Sequence, residues 1–176
     1  LFRSGTGVTN ASTGGTTGTF TVSASSLPVN TQISYRAYAT NTIGTSYGGA
    51  SGTTFYTLAN TPSAPTVNGA TASSLNVAIA GGDGNPTGTE YAIQETGSTN
   101  YVQSDGTLGA SAVFQSAATW STKTVTGLTS NTAYTFQVKA RNFAGTETAF
   151  GATTTLSTLA AGSPELSATA LTAFGA

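Results

Sequence analysis

The acids are Asp83, Glu90, Glu95, Asp105, Glu147 and Glu165, and no His, Cys or Met accompanies them anywhere in the 176 residues. Composition alone therefore excludes imidazole catalysis, thiolate nucleophiles, disulfides and the His/Cys ligand sets of ordinary zinc sites. Glu90 and Glu95 share one short run but stand five apart. In a strand they leave on opposite faces and make no acid/base pair. Ser and Thr are plentiful, yet Lys123 and Lys139 are the only alternative bases, so no activated nucleophile assembles. The carboxylates read as solvated or rim charges, and no catalytic residue is expected. Asp83-Gly84-Asn85 offers oxygen ligands for Ca²⁺. Two side chains fall well short of the roughly six to eight oxygens that Ca²⁺ takes, and the same tripeptide is ordinary turn chemistry. Asp83 and Asn85 are the metal candidates on the chain, and no cofactor is implied.

Aromatic side chains are the other groups that could recognise something. Tyr38 falls beside Arg36 on the wet face of a strand, with Tyr47 and Tyr56 close in sequence. Exposed tyrosines stack on a glycan or seat a partner. The competing reading is that these three rings cover a neighbouring module or a partner chain.

The elements that would carry these groups are strands. Thr (37) and Ser (20) make up about a third of the residues, whereas Leu, Ile, Val and Phe number only 31. So few apolar residues raise the question of disorder, but disorder of that kind also needs strong self-repulsion, and five basic against six acidic side chains supply little. The near-neutral balance also removes the electrostatic footprint of a nucleic-acid or anionic-membrane partner. No apolar run is long enough to insert in a bilayer. The first residue is Leu1 and no targeting signal opens the chain, so the sequence reads as a segment of a longer or processed polypeptide.

Gly127 to Thr146 anchors the pattern. Tyr134, Phe136, Val138 and Ala140 alternate with Thr135, Gln137, Lys139 and Arg141, the period of a strand with one buried face. Leu75, Val77 and Ile79 share a face of a second strand, and Tyr91 and Ile93 point inward from Glu90 to Glu95. Gly81 to Gly88 is a loop, Asp105-Gly106 suits a two-residue type I′ hairpin, and Trp120 to Val125 leads toward the main strand. Pro62 and Pro65 mark a linker and an edge strand, and Gly151 to Leu159 supplies the last strand. About seven short strands with turn signals between them predict a Greek-key sandwich.

A shift of 101 positions lays Thr31 to Leu58 on Thr132 to Leu159 without a gap, with nine of 28 pairs identical. That predicts an internal repeat. If residues 59–159 are one whole copy, the first copy lacks its opening 43 or so residues, and Ile33, Tyr35, Ala37 and Ala39 face water unless other strands cover them.

The run LTSNTAYTFQVKARNFAG, Leu128 to Gly145, resembles the signature of fibronectin type III modules. The resemblance covers nearly all of residues 59–160 and the second half of the pattern in residues 1–58. It implies an all-β chain of tandem Greek-key sandwiches: residues 1–58 the C-terminal half of one module, 59–160 a complete module, and 161–176 the start of a following β module. It also implies that Tyr134 packs at the corner with its hydroxyl on the backbone just upstream. Leu128, Phe136, Val138, Trp120 and Ile79 join Tyr134 as structural residues. Two departures stand out: Ile79 occupies the place of the family's usual second-strand tryptophan, and Ile33 that of the first copy's corner tyrosine. The tail Ser163 to Ala176 resembles the opening of a repeat found after such modules in large secreted proteins of Bacteroidota, and the sequon at Asn10 carries little meaning in a bacterial protein.

These readings converge on a non-catalytic extracellular or cell-surface protein: a spacer, adhesin shaft or filament unit. Its expected partners are neighbouring modules or identical chains in a fibre. The alternative is a glycan-binding or hydrolase-associated accessory module.

Overall fold

The computed structural model describes residues 21–48 and 53–162. The sequon at Asn10 and the tail from Ser163 lie outside the described residues. In chain order the strands are β1 (Gln32–Tyr35), β2 (Tyr38–Thr40), β3 (Thr45–Tyr47), β4 (Thr53–Tyr56), β5 (Thr66–Asn68), β6 (Leu75–Ala78), β7 (Glu90–Glu95), β8 (Tyr101–Val102), β9 (Leu108–Gly109), β10 (Gln115–Ser116), β11 (Thr122–Val125), β12 (Ala133–Arg141) and β13 (Thr154–Ser157), with one helical turn, α1 (Ala117–Trp120). The chain is thus nearly all β.

Residues from Ala59 onward build a sandwich. One sheet runs β11-β6-β5, and the other runs β13-β12-β7-β8-β9 with β10 also on β7. Every pairing in them is antiparallel. The alternation read from the main strand holds: Phe136, Val138 and Ala140 of β12 are fully buried, against Leu75 and Val77 of β6, Ile93 of β7 and Val125 of β11. Among the described residues, all buried hydrophobic side chains lie between Ala59 and Ala140.

Four local details differ from expectation. Asp105-Gly106 does not form a two-residue turn. Gly106 N–H donates to Gln103 O at 3.0 Å and Gln103 N–H to Thr107 O at 2.8 Å, and only Gly106 has positive φ (91°). That is a type I turn closed by a left-handed glycine, a three-residue bulged hairpin. Trp120 sits not at the head of a strand but at the end of α1, where the side chain of Ser116 caps the turn. Ile79 lies just past β6, only half-buried, and packs on the margin of the core. Glu95 is not a rim charge: it is 4% exposed and folded inward over its own turn.

Residues 21–58 show the strand pairing of the sandwich's last two strands at a second place. β1 pairs β4 as Gln32↔Tyr56, Ile33↔Phe55, Ser34↔Thr54 and Tyr35↔Thr53, and adding 101 to each number gives the β12–β13 register, Ala133↔Ser157 to Phe136↔Thr154. The main strand is broken here into β1 and β2. In the sandwich, β7 pairs along Phe136 to Arg141, whereas no described strand stands beside the matching stretch Tyr35 to Thr40 on that edge. Tyr35 (47% exposed) and Phe55 (42%) are accordingly left open to solvent.

Candidate functional site

The sequence candidates scatter when placed in space. Tyr38 and Tyr47 are cross-strand partners of the β2–β3 hairpin with ring centroids 6.1 Å apart, and Arg36 lies 5.2 Å from the Tyr47 ring. Arg36 is held by donating from Nε to Gly48 O at 2.9 Å. Tyr56 is not part of this group; its ring meets Phe143 edge-on at 6.2 Å. The three tyrosines therefore form a pair and an outlier, not one platform.

Asp83 and Asn85 direct their polar atoms into the protein. Asp83 Oδ1 accepts from Asn85 N–H at 3.0 Å, while Oδ2 accepts from Asn85 Nδ2 and from the Tyr91 hydroxyl, both at 2.9 Å. Asn85 Oδ1 accepts from Asn60 N–H at 2.7 Å, and Asn60 Nδ2 donates to Asp83 O at 2.9 Å. The loop thereby clips the segment after Ala59 to the sandwich. Burial, and then the Asp83 carboxylate, push the Tyr91 phenol up to about 12. Among the described residues no three His, Cys, Asp or Glu groups gather where they could hold a metal.

The structural candidates meet in the core. Trp120 is 1% exposed and donates from Nε1 to Tyr91 O at 2.7 Å, so a ring from α1 is part of the core. The Tyr134 hydroxyl accepts from Thr129 N–H at 2.8 Å, fixing the turn before β12, and Leu128 beneath it is buried.

A different set of residues forms the most organised polar cluster, where residues 21–58 meet the sandwich. Asn30 is 1% exposed; its Nδ2 donates to Thr89 Oγ1 and its Oδ1 accepts from Phe143 N–H, each at 2.8 Å. The Thr89 hydroxyl in turn donates to Pro86 O at 2.8 Å. Asn142, 4% exposed, donates from Nδ2 to Thr57 O at 3.0 Å, and its Oδ1 accepts from Ala144 and Thr146 N–H. With the Tyr56–Phe143 contact beside it, this is a fully satisfied buried polar joint, the kind that fixes one relative placement because any slip leaves amides unpaired. Under the 101-residue shift Asn142 matches Asn41, and Asn30 matches Asn131 just before the aligned stretch. That recurrence was the available signal.

A second cluster also escaped the sequence reading. Lys139 on the outer face of β12 lies within 5.2 to 5.6 Å of the Tyr101, Phe114 and Phe150 rings and 2.6 Å from Glu147. Burial lowers its pKa, but Glu147 and Tyr101 outweigh that and hold it above the usual lysine value. Arg141 pairs Glu90 at 2.6 Å over Phe114. Both cations are covered by rings and matched by acids, so this face is a lid on the sheet.

The three-stranded sheet facing a six-stranded one, with its tyrosine-fixed turn, makes a fibronectin type III-like β-sandwich. No family model matches the chain, and no curated protein matches it. Among solved structures it is similar to a fibronectin type III domain of human fibronectin type III domain containing protein 3 (19% identity, TM-score 0.43, covering 61% of this chain and 92% of that one). It is also similar to domains d3-d4 of the rat CD45 extracellular region (17% identity, TM-score 0.45, 90% of this chain and 80% of that one). A third likeness is to Yersinia enterocolitica family 28 exopolygalacturonase (19% identity, TM-score 0.42, 57% of this chain and 20% of that one).

Proposed function

We propose that the chain is a non-catalytic structural segment of an extracellular or cell-surface protein, a spacer, shaft or filament unit in which sandwich modules follow one another. The observation that carries this reading is the joint: across the two units Asn30 bonds Thr89 and the Phe143 N–H, Asn142 bonds the Thr57 carbonyl, and among the described residues no buried side-chain polar atom is left unpaired. A flexible linker would need no such arrangement. Ala59 is buried, Thr154 Oγ1 donates to Pro65 O at 2.6 Å, and Asn60 is clipped to Asp83 and Asn85, so the connection itself is fastened along its length. A stiff connection transmits direction as well as distance, which a shaft requires.

Small-angle scattering on the whole chain tests this. One fixed end-to-end arrangement, unchanged in salt, is expected, because the joint contains no ion pair. Scattering that requires a broad spread of inter-unit angles would overturn the reading. A glycan-binding role finds support in the Tyr38–Tyr47 pair beside Arg36, in which Tyr47 is exposed and Tyr38 half-buried. It predicts glycan-array signals that Tyr47→Ala abolishes, and such a result would replace the spacer reading.

A further inference from the structure

We propose that Asn131, at the far end of the sandwich, is a second docking point that receives the Thr89–Phe143 end of another copy of the same sandwich, in the geometry already seen at Asn30. The inference rests on the spacer reading and extends it to the opposite pole.

The two asparagines sit in the same local scaffold. Asn30 and Asn131 both adopt the left-handed conformation (φ 44° and 50°), which Asn tolerates better than most residues. Asn30 N–H donates to Leu58 O and Asn131 N–H to Leu159 O, both at 3.0 Å. Around them the threonines repeat. Thr31 N–H donates to Thr57 Oγ1 at 2.9 Å, and Thr132 N–H to Thr158 Oγ1 at 3.1 Å. Thr57 Oγ1 donates to Pro28 O and Thr158 Oγ1 to Thr129 O, both at 2.6 Å. Thr31 Oγ1 and Thr132 Oγ1 each donate two residues back, to Val29 O and Ser130 O. Five scaffold residues in each copy thus hold the two side chains at matched positions on matched turns.

Their surroundings differ. Asn30 is buried with both ends of its amide bonded, whereas the Asn131 side chain is exposed and makes no hydrogen bond among the described residues. The Thr57 carbonyl is taken by Asn142 Nδ2, while its counterpart at Thr158 receives no such donor among the described residues. The pole around Asn131 therefore presents the donor and two acceptors that the Asn30 pole uses, already oriented. The complementary surface is also known from this molecule: the Thr89 hydroxyl, the Asn142 amide and the Phe143 N–H. Because the two surfaces differ, the contact is head-to-tail, and repeating it extends a row without closing it. Neither surface contributes a charge to the joint, so the contact needs a tether to raise the local concentration. A module joined straight after Leu159, as Ala59 follows Leu58, has that tether.

The test extends the chain: residues 1–159 are continued by a second copy of residues 59–162, a unit that holds all the buried hydrophobic residues described. Amide hydrogen exchange at Phe143 is read in both copies, and in residues 59–162 alone. Among the described residues that N–H bonds to Asn30 alone, so it reports docking directly. The expected result is that Phe143 of the added copy exchanges at least about tenfold more slowly than in the isolated unit. Asn131→Ala should restore fast exchange there alone, and Asn30→Ala in the original copy alone. Asn131→Asp keeps the left-handed turn and the acceptor but loses the donor to Thr89, and should give partial protection. Fast exchange in the added copy with both copies folded, or protection that survives Asn131→Ala, would overturn the proposal while leaving the spacer reading standing. Glycan binding abolished by Tyr47→Ala would instead remove the spacer reading itself.

Discussion

Two side chains show how much single residues decide here. The Tyr134 hydroxyl accepts from Thr129 N–H at 2.8 Å while its ring packs on the core. Tyr134→Phe keeps the ring and removes the acceptor, so stability should fall by about 1 kcal/mol, read as a lower denaturant midpoint with the slope unchanged. Glu95 is the second. Burial raises its pKa, but the Ser98 hydroxyl and the N–H groups of Ser98 and Gly97 bond its carboxylate and leave it below the usual 4.5. A folded-state pKa depressed in this way means stability fully present above the unfolded value and lost as pH falls through the folded one. Stability should therefore drop below about pH 4.5, and Glu95→Gln should flatten that slope while lowering stability at neutral pH. The corner tyrosine was legible through the resemblance of Leu128 to Gly145 to fibronectin type III modules, which implies that role for Tyr134. The role of Glu95 was not, since an acid at a strand end looks like a rim charge until the turn beyond it is seen to curl back over the carboxylate.

At the scale of elements, period-2 alternation placed β7 and β12 to within a residue, because Tyr91 and Ile93 of β7 and Phe136, Val138 and Ala140 of β12 all enter the core. The connections were harder to read. Asp-Gly supports either a two-residue turn with two positive φ values or a three-residue turn with one, and the sequence does not choose between them. The strand stagger chooses: Val102 pairs Leu108, leaving a loop in which only Gly106 turns left-handed. α1 was missed for a similar reason, since AATW is too short for a helical period and its stop is set by Trp120 entering the core. Gly106 makes a sharp test of the bulged hairpin. A Cβ there would collide with the Thr124 carbonyl, and φ is 91°. Gly106→Ala should cost on the order of 2 kcal/mol, whereas Asp105→Gly, at a position with ordinary φ, should cost less than about 1 kcal/mol. Equal losses would favour the two-residue turn. Alkaline titration tests the neighbouring loop. The Tyr91 phenol at about 12 against a usual 10.0 means stability present below pH 10 and lost as pH rises toward 12. Tyr91→Phe should remove that loss.

For the whole molecule, the question is how far the two units depend on one another. The buried apolar side chains belong to the sandwich, while residues 21–58 expose Tyr35, Phe55, Ile43 and Leu58 and touch it through the joint around Asn30. None of this was visible from composition or periodicity, because the contacts span 59 to 113 residues and connect side chains that in sequence look like ordinary turn asparagines. Trp120 is the single tryptophan and sits inside the sandwich, so its fluorescence follows that unit alone. If the joint, and not shared core, couples the units, then removing everything before Ala59 should leave the sandwich folded and lower its fluorescence-detected stability by about 1 to 3 kcal/mol, the value of a few buried hydrogen bonds. Asn30→Ala in the full chain should reproduce most of that loss, since it strips the acceptor from Phe143 N–H and the donor from Thr89 together. Double substitution of Asn30 and Asn142 should add little beyond it, because neighbours in one network are not additive. A truncated sandwich that fails to fold would mean that residues 21–58 complete its interior, and the chain would then be one cooperative body and not a stiff joint between two.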